Sequence, residues 1–194
     1  MTDSLSAIIC AAGAGKRMGC PKALCHIRPN TNFLEHIVQT IRSVASLPIV
    51  VVTGAQTEEV RQFHAHLDVI WAENAAWQTT HMLESLICGL ARVPEHHAVL
   101  HWPVDCIGVS PKDLQNLIAA PEAPFAVLAH QGTPGHPLRI ASHKAQMLRN
   151  PAFQANSLRT FVESDTCTSI EAAPEVLINC NDAQTLKNFM LRCN

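Results

Sequence analysis

Short apolar segments alternate with amphipathic segments along most of this chain, and this alternation constrains the fold more than any other feature. The apolar runs at Ile49–Thr53 and at residues 98–102 are typical of buried strands. Between them, residues 80–92 carry leucines and an isoleucine at the three- and four-residue spacing of a buried helical face. Strands separated by single helices pair in parallel, because a parallel neighbour requires a crossover connection. The sequence therefore predicts an α/β fold: a three-layer αβα sandwich around a mostly parallel, Rossmann-like sheet.

The same patterns predict the other elements and their ends. Strands are predicted at 7–11, 49–53, 68–72, 98–102, 125–130 and 176–179. Helices are predicted at 33–46, 57–63, 80–92, 110–119, 142–149 and 157–163, with a closing helix capped by Asn181 or Asp182. Asn32 and Glu35 have the spacing of a capping box, while Thr79 or Thr80 is the predicted N-cap of the helix that follows. Residues 132–137 are predicted to form a loop.

Length, charge and cysteine content limit the function classes. The 194 residues suit one domain, 1–194. A net charge of -2 argues against a nucleic-acid partner, which normally meets a basic face. No apolar run reaches the roughly 18 residues of a membrane span, so we expect a cytoplasmic protein without a membrane partner. The eight cysteines form no C-x-x-C pair and are expected to be reduced.

A glycine-rich segment follows the first predicted strand, from Ala11 to Lys22. Its small residues allow backbone N–H groups to approach a phosphate closely. No acidic residue occurs between positions 4 and 34, although that stretch contains Lys16, Arg17, Lys22 and Arg28. The segment is therefore predicted to bind the triphosphate of a nucleotide.

Two familiar glycine motifs do not fit this segment. A P-loop needs glycine where Cys10 stands and serine or threonine where Arg17 stands. A dinucleotide fingerprint needs a helix that runs straight on from the glycines, whereas Pro21 interrupts it. Lys22 is accordingly predicted to lie on an extended loop.

Other polar residues follow later strands, at the edge of the sheet where ligands bind in such folds. Asp105 follows the strand at 98–102, where it is either a ligand for a hard cation such as Mg²⁺ or a turn aspartate. Asn74 and Ser85 border the start of the helix at 80–92, a place suited to hydrogen-bonding a base and ribose. His136, in the segment 132–137, is by itself only a residue of a hairpin loop.

Taken together, four segments resemble the MobA-like nucleotidyltransferase family. They are Ala11-Ala12-Gly13-x-Gly15-x-Arg17-Met18-Gly19-x-x-Lys22, Pro103-Val104-Asp105, Gly135-His136-Pro137 and Ile178-Asn179. The likeness extends in order over nearly the whole chain. Within the family, the chain most resembles molybdenum cofactor cytidylyltransferases, in which a Gly-His-Pro segment follows the Pro-Val-Asp motif. The fold implied is that of nucleotide-diphospho-sugar transferases.

The resemblance implies a role for each matching residue. The catalytic residues would be Lys22, Arg17 and Asp105, and the metal site would be Mg²⁺ on Asp105 and Asn179. The residues expected to contact the nucleotide are Ala11, Ala12, Gly13, Gly15, Arg17, Lys22, Asn74, Ser85 and His136. The guanylyl branch typically has glycine where Ala12 stands, so CTP is favoured over GTP. The implied acceptor is a phosphorylated small molecule such as molybdopterin, and the implied protein partner is a molybdoenzyme or its chaperone.

Two other functions stay open at this level. One is a nucleotidyltransferase that acts on a sugar phosphate or choline phosphate. The other is a nucleotide-binding regulatory or chaperone-like subunit without turnover, since Asn179 replaces the usual aspartate and Ile107 replaces a proline.

Overall fold

The computed structural model describes residues 4–153 and 156–192, which form nine strands and seven helices. The strands are β1 Leu5–Cys10, β2 His26–Arg28, β3 Thr31–Asn32, β4 Ile49–Thr53, β5 Ile70–Glu73, β6 Ala98–Pro103, β7 Phe125–His130, β8 Thr133–Ile140 and β9 Cys167–Glu171. The helices are α1 Phe33–Val44, α2 Thr57–Phe63, α3 Met82–Leu90, α4 Pro111–Ile118, α5 Ser142–Arg149, α6 Leu158–Glu163 and α7 Ala183–Arg192. Two short 3-10 helices lie at Lys22–Leu24 and Pro174–Leu177.

Seven of the strands form one sheet in the order β5-β4-β1-β6-β8-β7-β9. All neighbours in it pair in parallel except β8, which is antiparallel to both β6 and β7. The mostly parallel sheet expected from the sequence is therefore confirmed. The carboxyl ends of β1, β4, β5 and β6 meet at one edge, so the segments that follow these strands lie side by side.

Helices cover both faces of the sheet, which gives the predicted three layers. The apolar residues of α1, α4 and α7 pack with Ile9, Val51 and Leu100 in one buried cluster. Those of α3, α5 and α6 pack with Ile8 and Val99 in a second cluster on the other face. Adjacent residues of β1 and β6 thus point to opposite layers, as strand geometry requires. Within the described residues, no helix combines the length and apolar character needed to cross a bilayer.

The N-terminal caps of three helices can be compared with the capping residues predicted from the sequence. At α1 the Glu35 N–H donates to the Asn32 side chain at 2.9 Å and the Asn32 N–H donates to the Glu35 carboxylate at 3.0 Å, which confirms the capping box. At α3 the predicted N-cap was wrong, because His81 takes that position and its N–H donates to Glu84. At α7 the Thr185 N–H donates to Asp182 at 2.8 Å, so Asn181 does not cap the helix.

The predicted loop at residues 132–137 was wrong, because most of it belongs to β8. Gln131 and Gly132 have φ angles of 49° and 78° and make a two-residue turn between β7 and β8. Strand pairing resumes at once, but the register shifts so that residues 135–137 bulge opposite Leu128. Bulges of this kind redirect side chains near functional sites, and this one contains His136.

The predicted strand at residues 176–179 was also wrong. Pro174 starts a 3-10 helix there, and the edge position beside β7 is taken by β9, whose sequence of mixed polarity gave no strand prediction. Residues 178–181 consequently run free of the sheet and lie against Asp105, whose carbonyl accepts from the Cys180 N–H at 2.9 Å.

Candidate functional site

The segment after β1 is anchored at its start and exposed further on. The Ala11 N–H donates to the Val52 carbonyl at 2.8 Å, and the Ala12 carbonyl accepts from the Ala55 N–H at 2.9 Å. Ala11 and Ala12 are buried, whereas Gly13 is exposed and has open space around its Cα. The chain therefore leaves the sheet edge with a surface on which a ligand can contact the backbone.

Gly15 is the residue that gives this loop its shape. Its φ angle is 61°, a left-handed conformation that side chains rarely adopt. A Cβ at this position would lie 1.9 Å from the Cys20 carbonyl oxygen and 3.2 Å from the Lys22 nitrogen. The Gly15 carbonyl accepts from the Met18 N–H at 2.8 Å, which closes the turn. Glycine here is needed to let the two arms of the loop approach each other and to position Lys22.

Lys22 connects this loop to the segments after β6 and before α7. Its Nζ donates to Asp105 Oδ2 at 2.7 Å and to Asn181 Oδ1 at 2.6 Å. The Lys22 and Asp105 side chains are 20% and 16% exposed, so the ion pair is largely shielded from solvent but still reachable. Sequence reasoning selected Lys22 and Asp105 and missed Asn181, which competed with Asp182 as the expected helix cap.

The two predicted metal ligands meet around one thiol. The Cys106 Sγ lies 3.8 Å from Asp105 Oδ1 and donates to Asn179 Oδ1 at 2.9 Å. Burial, followed by the Asp105 charge, raises the pKa of the Cys106 thiol, which keeps it protonated. One carboxylate and one amide oxygen are hard donors that suit Mg²⁺, a cation that binds through few carboxylates together with substrate phosphates. The described residues contain no cluster of three His, Cys, Asp or Glu side chains that would hold a metal unaided.

Arg17 lies at the outer side of the same loop. It is exposed, and its charge contributes to lowering the pKa of Asp182, after the larger effect of the hydrogen bonds from Thr185. The structure thus brings Arg17, Lys22, Asp105 and Asn179 to one end of the sheet. An anion held there would meet two cations.

A second group of predicted residues lies at the ends of β4 and β5. Asn74 and Ser85 are buried, and Asn74 Nδ2 donates to Ser85 Oγ at 3.1 Å and to Thr80 Oγ1 at 2.9 Å. Asn74 Oδ1 accepts from the Ala76 N–H at 3.1 Å, so this side chain organises the turn before α3. Direct contact of Asn74 or Ser85 with a nucleotide stays a prediction.

Gly54 joins these two groups and was missed in the sequence. A Cβ there would lie 2.7 Å from Trp77 Cβ and 2.8 Å from the Ala12 carbonyl oxygen. The glycine therefore lets the segments after β1, β4 and β5 pack against each other. Its position directly after a buried strand was an available signal.

His136 lies in the bulge of β8. It is mostly buried, its Nδ1 has no hydrogen-bond partner among the described residues, and its ring centroid is 6.4 Å from that of His101. Burial lowers the pKa of His136, and the Asp105 charge partly opposes this effect. His136 is thus within electrostatic range of Asp105. His101, in the middle of β6, was not singled out from the sequence.

Comparison with known proteins identifies a family. The sequence profile of the MobA-like NTP transferase domain matches residues 7–173. A curated relative, the bifunctional protein GlmU of Chromobacterium violaceum, is 32% identical over 173 residues, which are 88% of this chain and 35% of that protein. The chain spans about a third of the length of the curated relatives it matches.

Solved structures share the fold. Rv0371c from Mycobacterium tuberculosis has a TM-score of 0.83 at 18% identity over 98% of this chain and 100% of that one, and it was also solved with manganese. The molybdopterin-guanine dinucleotide biosynthesis protein A of Archaeoglobus fulgidus has a TM-score of 0.69 at 13% identity, covering 97% and 98% of the two chains. CMP:2-keto-3-deoxy-manno-octonic acid synthetase, solved with CTP, has a TM-score of 0.76 at 13% identity and covers 98% of both chains.

Proposed function

Because the chain belongs to the MobA-like NTP transferase family, a family of nucleotidyltransferases, we propose that it transfers CMP from CTP to a phosphate-monoester acceptor and releases pyrophosphate. The observation that carries this proposal is the position of Lys22. This residue of the glycine-rich loop lies 2.7 Å from Asp105, across the edge of the sheet. A cation and a carboxylate in contact at the mouth of an anion-binding loop suit a reaction in which phosphate charge is redistributed.

The residues of the loop would bind the triphosphate. Gly13 leaves its backbone open to a phosphate oxygen, and Arg17 is exposed beside it. Lys22 is held by two oxygen acceptors, and a phosphate oxygen can replace one of them without leaving the ammonium unpaired. Charge-assisted hydrogen bonds of this type fix the orientation of the phosphates and neutralise them.

Asp105 and Asn179 would hold Mg²⁺ together with the phosphates. When bound there, the cation withdraws charge from the phosphate oxygens and helps stabilise the negative charge of the transition state. Both oxygens lie near the Cys106 Sγ, at 3.8 Å for Asp105 and 2.9 Å for Asn179, so the two side chains are neighbours. Binding of manganese by the mycobacterial structural relative supports a divalent cation in this fold.

The reaction forms one phosphorus–oxygen bond and breaks another. An oxygen of the acceptor phosphate attacks the α-phosphorus, and the bond from the α-phosphorus to the bridging oxygen of the β-phosphate breaks, which releases pyrophosphate. A phosphate monoester has a second pKa of about 6, so it is largely dianionic at neutral pH and needs no protein base. Lys22 and Arg17 contribute by aligning the phosphates and compensating their charge.

Ala12 supports the preference for cytidine over guanosine. Its side chain is buried beside Gly54, where the segments after β1 and β4 are in van der Waals contact. In the guanylyl branch of the family that the sequence resembles, glycine is typical at this position, so the alanine favours cytidine. The CTP-bound synthetase of the same fold supports a cytidine nucleotide here.

For the acceptor we propose molybdopterin or a closely similar molybdenum cofactor, with a molybdoenzyme or its chaperone as the protein that receives the product in the cytoplasm. The support is the family itself and the molybdopterin-guanine dinucleotide protein that shares this fold.

The test is release of pyrophosphate from CTP with Mg²⁺, measured with molybdopterin, glucose 1-phosphate and phosphocholine as separate acceptors. We expect release with molybdopterin and a product that contains CMP by mass spectrometry. Release only with a sugar phosphate or phosphocholine would replace the proposed acceptor. Nucleotide binding without release under any condition would make the protein a nucleotide-binding subunit.

A further inference from the structure

Two thiols face each other at the end of the glycine-rich segment, on either side of Lys22 in sequence. The Sγ atoms of Cys20 and Cys25 are 3.0 Å apart, and both cysteines are free. The 3-10 helix Lys22–Leu24 lies between them, and the Cys25 N–H donates to the Lys22 carbonyl at 3.1 Å. This tight turn brings together two side chains that are five positions apart in sequence.

The two thiols differ in their surroundings. Cys20 is half-buried, whereas Cys25 is 6% exposed and belongs to the apolar cluster that includes Phe33. The Cys25 carbonyl also accepts from the Phe33 N–H at 2.9 Å, which fixes its backbone at the start of α1. Burial, followed by the hydrogen bond with Cys20, raises the pKa of the Cys25 thiol to about 12, so this thiol stays protonated. Redox-sensitive cysteines are typically accessible and lie next to a second thiol that can react with the oxidised sulfur.

A disulfide between these residues would change the shape of the loop. The sulfur atoms of a disulfide are about 2.0 Å apart, so the two Sγ atoms would have to approach by about 1 Å. Because Cys25 is fixed in the core, Cys20 has to move, and its carbonyl oxygen packs closely against Gly15. Lys22 lies between the two cysteines, and its Nζ is held by two oxygen acceptors at 2.7 and 2.6 Å. A shift of Cys20 therefore disturbs the position of Lys22.

We infer that Cys20 and Cys25 form a site of reversible oxidation, at which a hydroperoxide converts the two thiols to a disulfide and thereby weakens nucleotide binding by the loop. The effect on nucleotide affinity rests on the proposed function, whereas formation of the disulfide does not. The free thiols belong to the reduced state, which is the state that binds the nucleotide.

The oxidation proceeds in two steps. With H₂O₂, the Cys20 sulfur attacks one oxygen and loses its proton, the O–O bond breaks, and a sulfenic acid and water form. The Cys25 sulfur then attacks the Cys20 sulfur, the S–O bond breaks, and the leaving hydroxide takes the Cys25 proton to form a second water. Two electrons pass in total from the thiols to the peroxide. A thiol reductant reverses the change by thiol–disulfide exchange.

The first measurement is peptide mapping of the protein after treatment with H₂O₂ and alkylation of the remaining thiols. Trypsin cuts after Arg17 and Lys22, so the disulfide would join the peptide 18–22 to a peptide that begins at Ala23. We expect this linked pair, lighter by two hydrogen atoms than the two reduced peptides together. Treatment with dithiothreitol should separate it.

Cysteine variants identify the thiols that react. Cys20→Ser and Cys25→Ser each remove one member of the pair, so neither should give the linked peptides. Cys88→Ser, which removes a half-buried thiol of α3, is the matched control and should give them like the wild type.

The second measurement is the calorimetric Kd for CTP with Mg²⁺ before oxidation, after oxidation and after reduction. Oxidation should raise the Kd about tenfold in the wild type and in Cys88→Ser, because the loss of one hydrogen bond to a charged group has an effect of this size. Dithiothreitol should restore the original Kd. In Cys20→Ser, the Kd should be the same before and after treatment with peroxide.

Absence of the linked peptides from wild-type protein in excess H₂O₂ would overturn the oxidation site. Conversion of Cys20 to a sulfinic acid, or an intermolecular disulfide in place of the internal one, would overturn it as well. A disulfide that forms but leaves the Kd for CTP unchanged would overturn its effect on the loop. If the reduced protein binds no nucleotide, the proposed function fails, and the peptide map still decides whether this pair is oxidised.

Discussion

The buried imidazole of His101, which has no hydrogen-bond partner within the described residues, predicts a specific dependence of stability on pH. In the folded protein, burial lowers the pKa of His101 to about 3, whereas histidine in an unfolded chain has a pKa of about 6.5. Below that value the unfolded state gains a proton that the folded state does not take up, so stability falls with pH until the folded state is protonated as well. Each pH unit in this window removes about 1.36 kcal/mol, so the loss through His101 at pH 5 is about 2 kcal/mol.

The assay is urea denaturation of the wild type and of His101→Phe at pH 7 and pH 5. His36, His64, His97 and His136 also have lowered pKa values, but they are present in both proteins, so the difference isolates His101. We expect the wild type to lose about 2 kcal/mol more than the variant between the two pH values. At pH 7 the variant should be at least as stable, because it removes two buried ring nitrogens that no described residue hydrogen-bonds. Equal losses in both proteins would show that His101 is not held neutral in the folded state.

Two further predictions concern the loop. Lys22→Ala and Asp105→Ala should each lower the rate of pyrophosphate release about a hundredfold, with the far-UV circular dichroism spectrum unchanged. The control Lys112→Ala, on the exposed surface, should release pyrophosphate at the wild-type rate. Wild-type turnover in a purified Lys22 or Asp105 variant would contradict the roles assigned to these residues. Gly15→Ala should raise the Kd for CTP about tenfold, because its methyl group would displace the Cys20 carbonyl. Gly13→Ala should keep its unfolding free energy within about 0.5 kcal/mol of the wild type. An unchanged Kd in Gly15→Ala, measured by calorimetry, would count against the loop geometry.

Much of the fold was predictable because its signals are local. The run of β-branched residues at β4 and the capping box at Asn32 and Glu35 each specify structure within a few positions. The wrong secondary-structure predictions lie where pairing with residues distant in sequence determines the structure. β8 contains two prolines and a bulge, and it is a strand only because β6 and β7 supply hydrogen bonds on both sides. β9 has mixed polarity because it is an edge strand.

Some residues of the candidate site were predictable from local sequence, and others were not. Lys22 and Asp105 were predictable, since each follows a strand at the ligand-binding edge and the loop around Lys22 lacks acids. The contact of Asn181 with Lys22 was not predictable, because the neighbouring sequence does not show whether Asn181 binds a lysine or caps a helix. His101 carried a signal that was overlooked: a titratable side chain in the middle of an apolar strand between Leu100 and Trp102.

Binding of a nucleoside triphosphate to the segment from Ala11 to Lys22 can be measured by thermal unfolding in the presence of each of CTP, GTP, ATP and UTP with Mg²⁺. A nucleotide at 100 times its Kd stabilises the folded state by about 2.7 kcal/mol, which for a chain of this size raises Tm by about 5 to 10 °C. We expect the largest shift with CTP and no shift in Lys22→Ala. No shift with any of the four nucleotides would contradict binding at this segment.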